Sequence, residues 1–213
     1  MELTPRVNVQ RKQVLLASGM LAVFFYVLHI LLGGILWKGY DHFQQPISDL
    51  TATGAPNKSL MLAFTTLYGV LALFFALTFT LFEANKHHKF VLWGGIMFVT
   101  LHCISIAYGI FPEDLPNAAS TFLGTMHLVI TALIVPFTIA SPLLIGLGFR
   151  KERSWQNVGF ASILASCLIL LFGGLTAVFY LKQWPYFGIV ERMNMAILQA
   201  WTFYLSYKLY RNQ

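Results

Sequence analysis

Three histidines, His29, His102 and His127, each interrupt a long apolar stretch of the chain. Five carboxylates, Asp41, Asp49, Glu113, Asp114 and Glu191, fall between or just beside those stretches. An ionisable side chain inside a membrane is costly and generally faces a bundle interior or a wet cavity. Imidazoles with a carboxylate are also the donor set of an open zinc site, in which a metal-bound water supplies the nucleophile. His29, His102 and His127 are therefore candidate ligands of a divalent metal such as zinc, although no HxxxH or HExxH spacing accompanies them. Without a metal, the same groups exchange protons in general acid–base chemistry.

The polar companions of these residues have two readings each. Ser48 and Asp49 can cap a short helix, since both types accept backbone N–H bonds; alternatively Asp49 is a base or ligand and Ser48 orients it. Asp114, after the proline stop Phe111-Pro112, is a solvated turn residue, a cap of a short outer helix, or part of the same mouth as His127. Glu191 and Arg192 are adjacent, so on a helix they point about 100° apart and must find separate partners, with Asn194 three residues beyond Glu191. Arg192 can reach lipid headgroups, lock onto a carboxylate such as Asp49, or grip a substrate anion in bidentate fashion. The candidate acid–base set is thus Ser48, Asp49, Asp114 and Glu191, and the candidate substrate-binding set is Tyr40, Arg192 and Asn194. His42 reads as a solvated loop residue, and His87 and His88 as headgroup-flanking residues of a basic turn.

The elements that must position these residues are helices in lipid. Of the 213 residues only 10% are charged and 57% are hydrophobic, and the mean hydropathy is +0.68. That balance excludes an ordinary soluble domain and predicts an all-α, polytopic membrane helix bundle forming a single domain over residues 1–213. Six spans are expected, at about 13–37, 59–82, 90–111, 121–149, 156–181 and 188–209, each able to cross roughly 30 Å of hydrocarbon. The first apolar run is too long for a signal-peptide core and is expected to remain as a span. Counting inward at 1.5 Å per residue, the three histidines lie roughly 9–14 Å below one interface.

Arg6, Arg11, Lys12, Lys86, Lys89, Arg150, Lys151, Arg153, Lys208 and Arg211 fall at one side, against Lys38, Lys58, Lys182 and Arg192 at the other. Positive charge marks the cytoplasmic side. N- and C-termini in the cytoplasm of a cell membrane are therefore expected, with a long, ordered first outer loop over 38–58 punctuated by Pro46, Gly54 and Pro56. Cys103 and Cys167 have no paired spacing and read as small core residues. Gly33–Gly34, Gly94–Gly95 and Gly173–Gly174 are expected to let helices approach closely, and Pro136 and Pro142 to bend the fourth span. The net charge of +6 is accounted for by the cytoplasmic helix ends, and no nucleic-acid signature is present.

The ordered set Gly39-Tyr40-Asp41, Ile47-Ser48-Asp49-Leu50, Gly54-Ala55-Pro56, Phe111-Pro112-Glu113-Asp114, His127 and Phe187-Gly188-Ile189-Val190-Glu191-Arg192 resembles the bacterial family called domain of unknown function 998. The resemblance runs from the first span to the last and implies a six-span integral membrane protein of a bacterial cell membrane. It carries no reaction with it. A looser analogy to zinc-dependent membrane hydrolases of the ceramidase and adiponectin-receptor group is weakened by their seven spans and by the HxxxH this chain lacks.

Three functions remain open on the sequence. The first is a metal-assisted or acid–base enzyme, a hydrolase or transferase, acting on a lipid or lipid-linked substrate at the outer leaflet. The second is a small-solute or proton-coupled carrier, which would need a polar path continuing inward. The third is a structural subunit whose outer loop binds a protein partner. The inner halves of the spans offer mainly hydroxyls, Ser18, Thr78, Thr80, Ser141 and Ser162, and no ionisable residue at depth, which favours a one-sided site.

Overall fold

The structure, a computed structural model, describes residues 5–116 and 118–212, with side chains described from residue 12 onward. Six long helices account for most of the chain: α1 (Pro5–Leu36), α2 (Lys58–Thr78), α3 (Lys89–Ser105), α4 (Phe122–Phe149), α5 (Gln156–Lys182) and α6 (Phe187–Arg211). Each packs on its neighbours in sequence, and α6 returns to α1, so the six form a closed ring. α2 continues through a π-helical turn (Phe79–Glu83) and a tight 3-10 turn (Ala84–Lys86), and a second 3-10 turn (Ile106–Gly109) ends α3.

Five of these segments are long and apolar enough to cross a membrane: Lys12–Leu36, Lys58–Lys86, Lys89–Gly109, Phe122–Phe149 and Arg153–Lys182. Large apolar side chains such as Phe24, Leu31, Phe74, Leu133, Phe160 and Leu170 stand exposed around the ring, as a lipid-facing surface requires. α6 is as long as the others but fails on composition, because Glu191, Arg192, Asn194 and Gln199 lower its hydropathy. The chain is a multi-pass membrane bundle by these five helices.

The apolar core lies in one half of the ring. Phe75, Phe79, Phe98, Ile145, Phe149, Trp201 and Leu205 form one buried cluster. Among the described residues no buried polar side-chain atom of this half lacks a partner. Trp201 donates its indole N–H to Ser162 Oγ at 2.9 Å, and Ser206 Oγ bridges Leu16 O (2.6 Å) and Met20 N (3.1 Å), the two ends of one rung of α1. Within the stretch of α4 that carries Pro136 and Pro142, Ser166 of α5 donates to Ile139 O at 2.8 Å.

Only one of the three glycine pairs serves a helix–helix backbone approach. A Cβ on Gly94 would strike Ile145 N and Ser141 O of α4, whereas Gly33 and Gly34 make room for Leu50 and His42 of the first connection. Gly173 faces Asn194 at van der Waals distance and Gly174 meets nothing. A pair absent from the sequence expectation, Gly146 and Gly159, sets the close approach of α4 and α5.

The end of the bundle opposite the first connection is closed by ion pairs. Lys12 Nζ reaches Glu83 Oε1 at 2.6 Å, Lys86 Nζ reaches the same oxygen at 3.2 Å, and His87 Nδ1 contacts Glu152 Oε2 at 2.6 Å. His87 is therefore not a headgroup-flanking residue; it sits between Phe149 and Trp155 and joins two connections. His88 caps α3 by accepting from Phe90 N at 3.2 Å. The expected charges at Arg6 and Arg11 lie outside the described side chains.

Overpacking a tight core contact costs about 1–3 kcal/mol. Gly94→Val should therefore lower the melting temperature in detergent by several degrees, while Gly174→Val leaves it nearly unchanged; equal effects would contradict the α3–α4 contact.

Candidate functional site

The connection from Trp37 to Asn57 folds as an ordered cap over one end of the ring. Asp41 starts it, its Oδ1 accepting from Phe43 N at 2.8 Å and Gln44 N at 3.4 Å, which makes Asp41 a turn residue. A 3-10 turn over Ser48–Thr51 follows, and Ile47, Asp49, Leu50 and Ala52 are all buried. Neither Ser48 nor Asp49 caps that turn: its N-cap is Ile47, with no side-chain bond.

The cap is held from two sides. On one, α6 presents its unpaired first-turn amides: Gly188 N donates to Gln44 O (3.2 Å) and Ile189 N to Phe43 O (3.1 Å), as the orphan donors of a helix start demand. Glu191 Oε2 accepts from Ile47 N at 2.6 Å. Arg192 Nη1 donates to Gln45 O (2.7 Å) and Gly188 O (2.9 Å), and Nη2 to the Tyr40 hydroxyl (2.5 Å), which itself donates to Pro46 O at 2.6 Å. Arg192 and Tyr40 are thus joined to the cap backbone, and the lock runs to neutral oxygens rather than to Asp49. On the other side, Thr53 N donates to Glu113 O at 2.9 Å, and the Ser48 hydroxyl donates to the Glu113 side chain.

Asp114 is committed to capping α4. Its Oδ2 accepts from Thr121 N and its Oδ1 from Thr121 Oγ1, both at 2.8 Å, while Thr121 Oγ1 accepts from Gly124 N at 3.1 Å. Asp114 is withdrawn from the candidate acid–base set on that ground, and Glu113 takes its place at the mouth. His42 is not solvated but half-buried, edge-on to Tyr40 and packed over Gly34. Burial, with Arg192 nearby, lowers its pKa.

Asp49, Glu113 and Glu191 converge beneath the cap. Each of the three acts electrostatically on at least one of the others, and none makes an ion pair among the described residues. Burial pushes the Asp49 carboxyl up to about 6, against the hydrogen bond it accepts from Gln45 Nε2 at 3.1 Å, and Glu113 raises it further. Burial also raises Glu113, with the Ser48 hydroxyl opposing. Such a carboxyl exchanges its proton close to neutral pH.

The three histidines do not gather. His29 lies beside Tyr26, with ring centroids 6.2 Å apart; His102 lies against Phe98 at 4.7 Å and Tyr68 at 6.4 Å; His127 stacks on Tyr108 at 4.7 Å and contacts Phe111 O through Nδ1 at 3.0 Å. Among the described residues no three His, Cys, Asp or Glu side chains form a group able to hold a metal ion. The expected zinc layer is corrected accordingly: the rings are turned toward different aromatic neighbours.

The sequence reading missed a polar layer beneath the cap. Gln199 Nε2 donates to the Tyr68 hydroxyl at 2.9 Å, and the Tyr68 ring lies 4.9 Å from Tyr26. Buried atoms without a hydrogen-bond partner cluster in this half: both ring nitrogens of His29, His102 Nε2, Gln199 Oε1, Asn194 Oδ1, Glu113 Oε2 and Arg192 Nε. Three polar residues, Tyr26, Tyr68 and Gln199, inside otherwise apolar helices were the available signal.

Fold and site together define a multi-pass membrane helix bundle with a buried, carboxylate-bearing polar region under a cap at one end. Residues 20–208 match the family described as a protein of unknown function, DUF998, and the chain belongs to that family. No curated protein and no solved structure matches it.

Because the folded Asp49 pKa lies above the value of 3.8 for a free side chain, the unfolded chain ionises first. Stability is then lost as pH rises from about 4 through about 6. Thermal melts in detergent across that window should show the loss in the native protein and a flatter profile in Asp49→Asn; parallel profiles would contradict a buried, protonatable Asp49.

Proposed function

We propose that this chain is a membrane-embedded acid–base enzyme acting on a lipid or lipid-linked substrate that enters at the capped end. The observation that carries the reading is the grouping of Asp49, Glu113 and Glu191, none of them in an ion pair among the described residues, over a half-bundle filled with aromatic core. Asp49 is the proton exchanger, since its carboxyl titrates near neutral pH. Glu113 has an oxygen free for substrate and is oriented by Ser48. Asn194, with a free amide oxygen, contacts the polar part of the substrate. Tyr40, Glu191 and Arg192 hold the cap in register.

The apolar plug of Phe75, Phe98 and Trp201 supports a one-sided site over a conduit, because among the described residues a solute crossing it would meet no unpartnered buried polar side chain. In this reading α6 is a sixth span whose polar side chains face inward, both termini are cytoplasmic, and the cap faces outward in the cell membrane, as the charge bias suggests.

Sidedness is tested on intact cells with a membrane-impermeant thiol reagent, in a background lacking Cys103 and Cys167. Phe43→Cys in the cap should label and Lys151→Cys should not; the reverse pattern would invert the orientation. Activity is tested by incubating the purified protein with bacterial lipid extract and following lipid species by mass spectrometry. A species should be consumed, and Asp49→Asn and Glu113→Gln should each slow this by about 10²–10⁴-fold, the usual contribution of a general acid or base. No consumption of any species, or full activity in Asp49→Asn, would overturn the proposal.

A further inference from the structure

Three side chains more than nine-tenths buried carry polar atoms with no partner: His29 on α1, His102 on α3 and Gln199 on α6. Leaving such groups unpaired is costly, and nearly all buried polar groups in folded proteins find a partner. These three surround one feature, the Tyr26–Tyr68 pair: His29 neighbours Tyr26, His102 neighbours Tyr68, and Gln199 bonds the Tyr68 hydroxyl. Tyr26 in turn feels the charges of Glu191 and Arg192, which connects the layer to the carboxylates above. Along α6, Glu191, Asn194 and Gln199 descend about 12 Å at 1.5 Å per residue. The three carboxylates and the unpartnered layer therefore belong to one continuous polar region.

The charge and donor balance of that region selects its occupant. Among the described residues the fixed cation beside it, Arg192, spends its described bonds on Gln45 O, Gly188 O and the Tyr40 hydroxyl and acts through space on Asp49 and Glu191, so one guanidinium stands against three carboxyls, none of them in a described ion pair. The unpartnered atoms are three oxygens that accept, on Glu113, Asn194 and Gln199, the two ring nitrogens of His29, one of which accepts in the neutral ring, His102 Nε2, and one fixed donor, Arg192 Nε, so acceptors outnumber fixed donors. The Tyr68 and Tyr26 rings lie beside Gln199, and aromatic faces attract cations. An anion would meet repulsion, and an apolar group would leave every acceptor unpaired.

We infer that the polar region between the Asp49–Glu113–Glu191 carboxylates and the Tyr26–Tyr68 pair binds a primary ammonium group, free or at the head of a lipid. The inference rests on the proposed function only for the mouth through which the ligand enters; binding requires no turnover. Ammonium N–H groups satisfy the acceptors, and its charge is balanced by the carboxylates.

The test measures binding alone. Protein in detergent is titrated with ethanolamine, and with micelles containing phosphatidylethanolamine or, as a control, phosphatidylglycerol, while the melting temperature is followed. The native protein should be stabilised by ethanolamine or by phosphatidylethanolamine and not by phosphatidylglycerol; the former pattern identifies a free amine as sufficient, the latter a lipid headgroup. His102→Phe removes an unpartnered polar atom from the interior and should melt at or above the native temperature without ligand, whereas Gln199→Leu also loses the bond to the Tyr68 hydroxyl and should melt somewhat below it. In both, the apparent affinity for the amine should fall at least tenfold. No amine-dependent shift in the native protein, an equal shift with phosphatidylglycerol, or an undiminished shift in both variants would overturn the inference. Loss of lipid turnover in Asp49→Asn with amine binding intact would leave this inference standing, and amine binding without any turnover would remove the enzyme reading alone.

Discussion

A backbone amide buried in a membrane bundle has no water to turn to and must find its partner inside the protein. The segment from Trp37 to Asn57 cannot supply enough partners by itself, since only a short 3-10 turn lies within it. The first turn of α6 meets that need. Its free N–H groups bond Gln44 O and Phe43 O, Glu191 accepts the Ile47 amide, and Arg192 donates to the Gln45 carbonyl. Everything at the capped end depends on this exchange. It buries Ile47, Leu50 and Ala52, brings Asp49 under cover, and aligns Thr53 to pair with Glu113 O.

The same contacts explain why α6 is the polar helix of the ring. A helix that must bond the cap at its start cannot also be apolar there, and Gln199 two turns on answers Tyr68 rather than lipid. Farther along, its polar groups become satisfied ones: Trp201 with Ser162 and Ser206 with the backbone of α1. Among the described residues the bundle is thus divided along its axis into a half with unmet hydrogen-bonding capacity and a half with none, joined by the ring of Phe98 between His102 and Trp201. The buried apolar cluster lies in the second half and the unpartnered polar atoms of the described residues in the first.

Much of the helical architecture was legible from hydropathy, because apolar runs of about 20 residues admit few alternatives. The polar, punctuated character of 38–58 correctly marked an ordered cap, and adjacency of Glu191 and Arg192 correctly required separate partners, found at Ile47 N and at Gln45 O with Tyr40. What could not be read was the direction of each side chain around its helix axis. Counting residues places His29, His102 and His127 at one depth, but depth does not say which neighbour each ring meets; they meet Tyr26, Phe98 with Tyr68, and Tyr108. For the same reason Asp114 and Glu113 were indistinguishable: one residue apart, they differ by where the α4 cap falls.

Glutamine and tyrosine escaped notice for a different physical reason. Hydropathy ranks a residue by its average cost in lipid, so Tyr26 and Tyr68 pass as amphipathic and Gln199 as one polar lapse in a long helix. Their meaning comes only from ring closure, when α6 returns beside α1 and lays Gln199 against a tyrosine of α2. Each of α1, α2, α3 and α6 then contributes one or two polar groups to a single layer, a density that no one helix reveals. A site assembled from single residues on four helices is invisible to any local motif, and it is the closed ring, rather than any stretch of chain, that creates it.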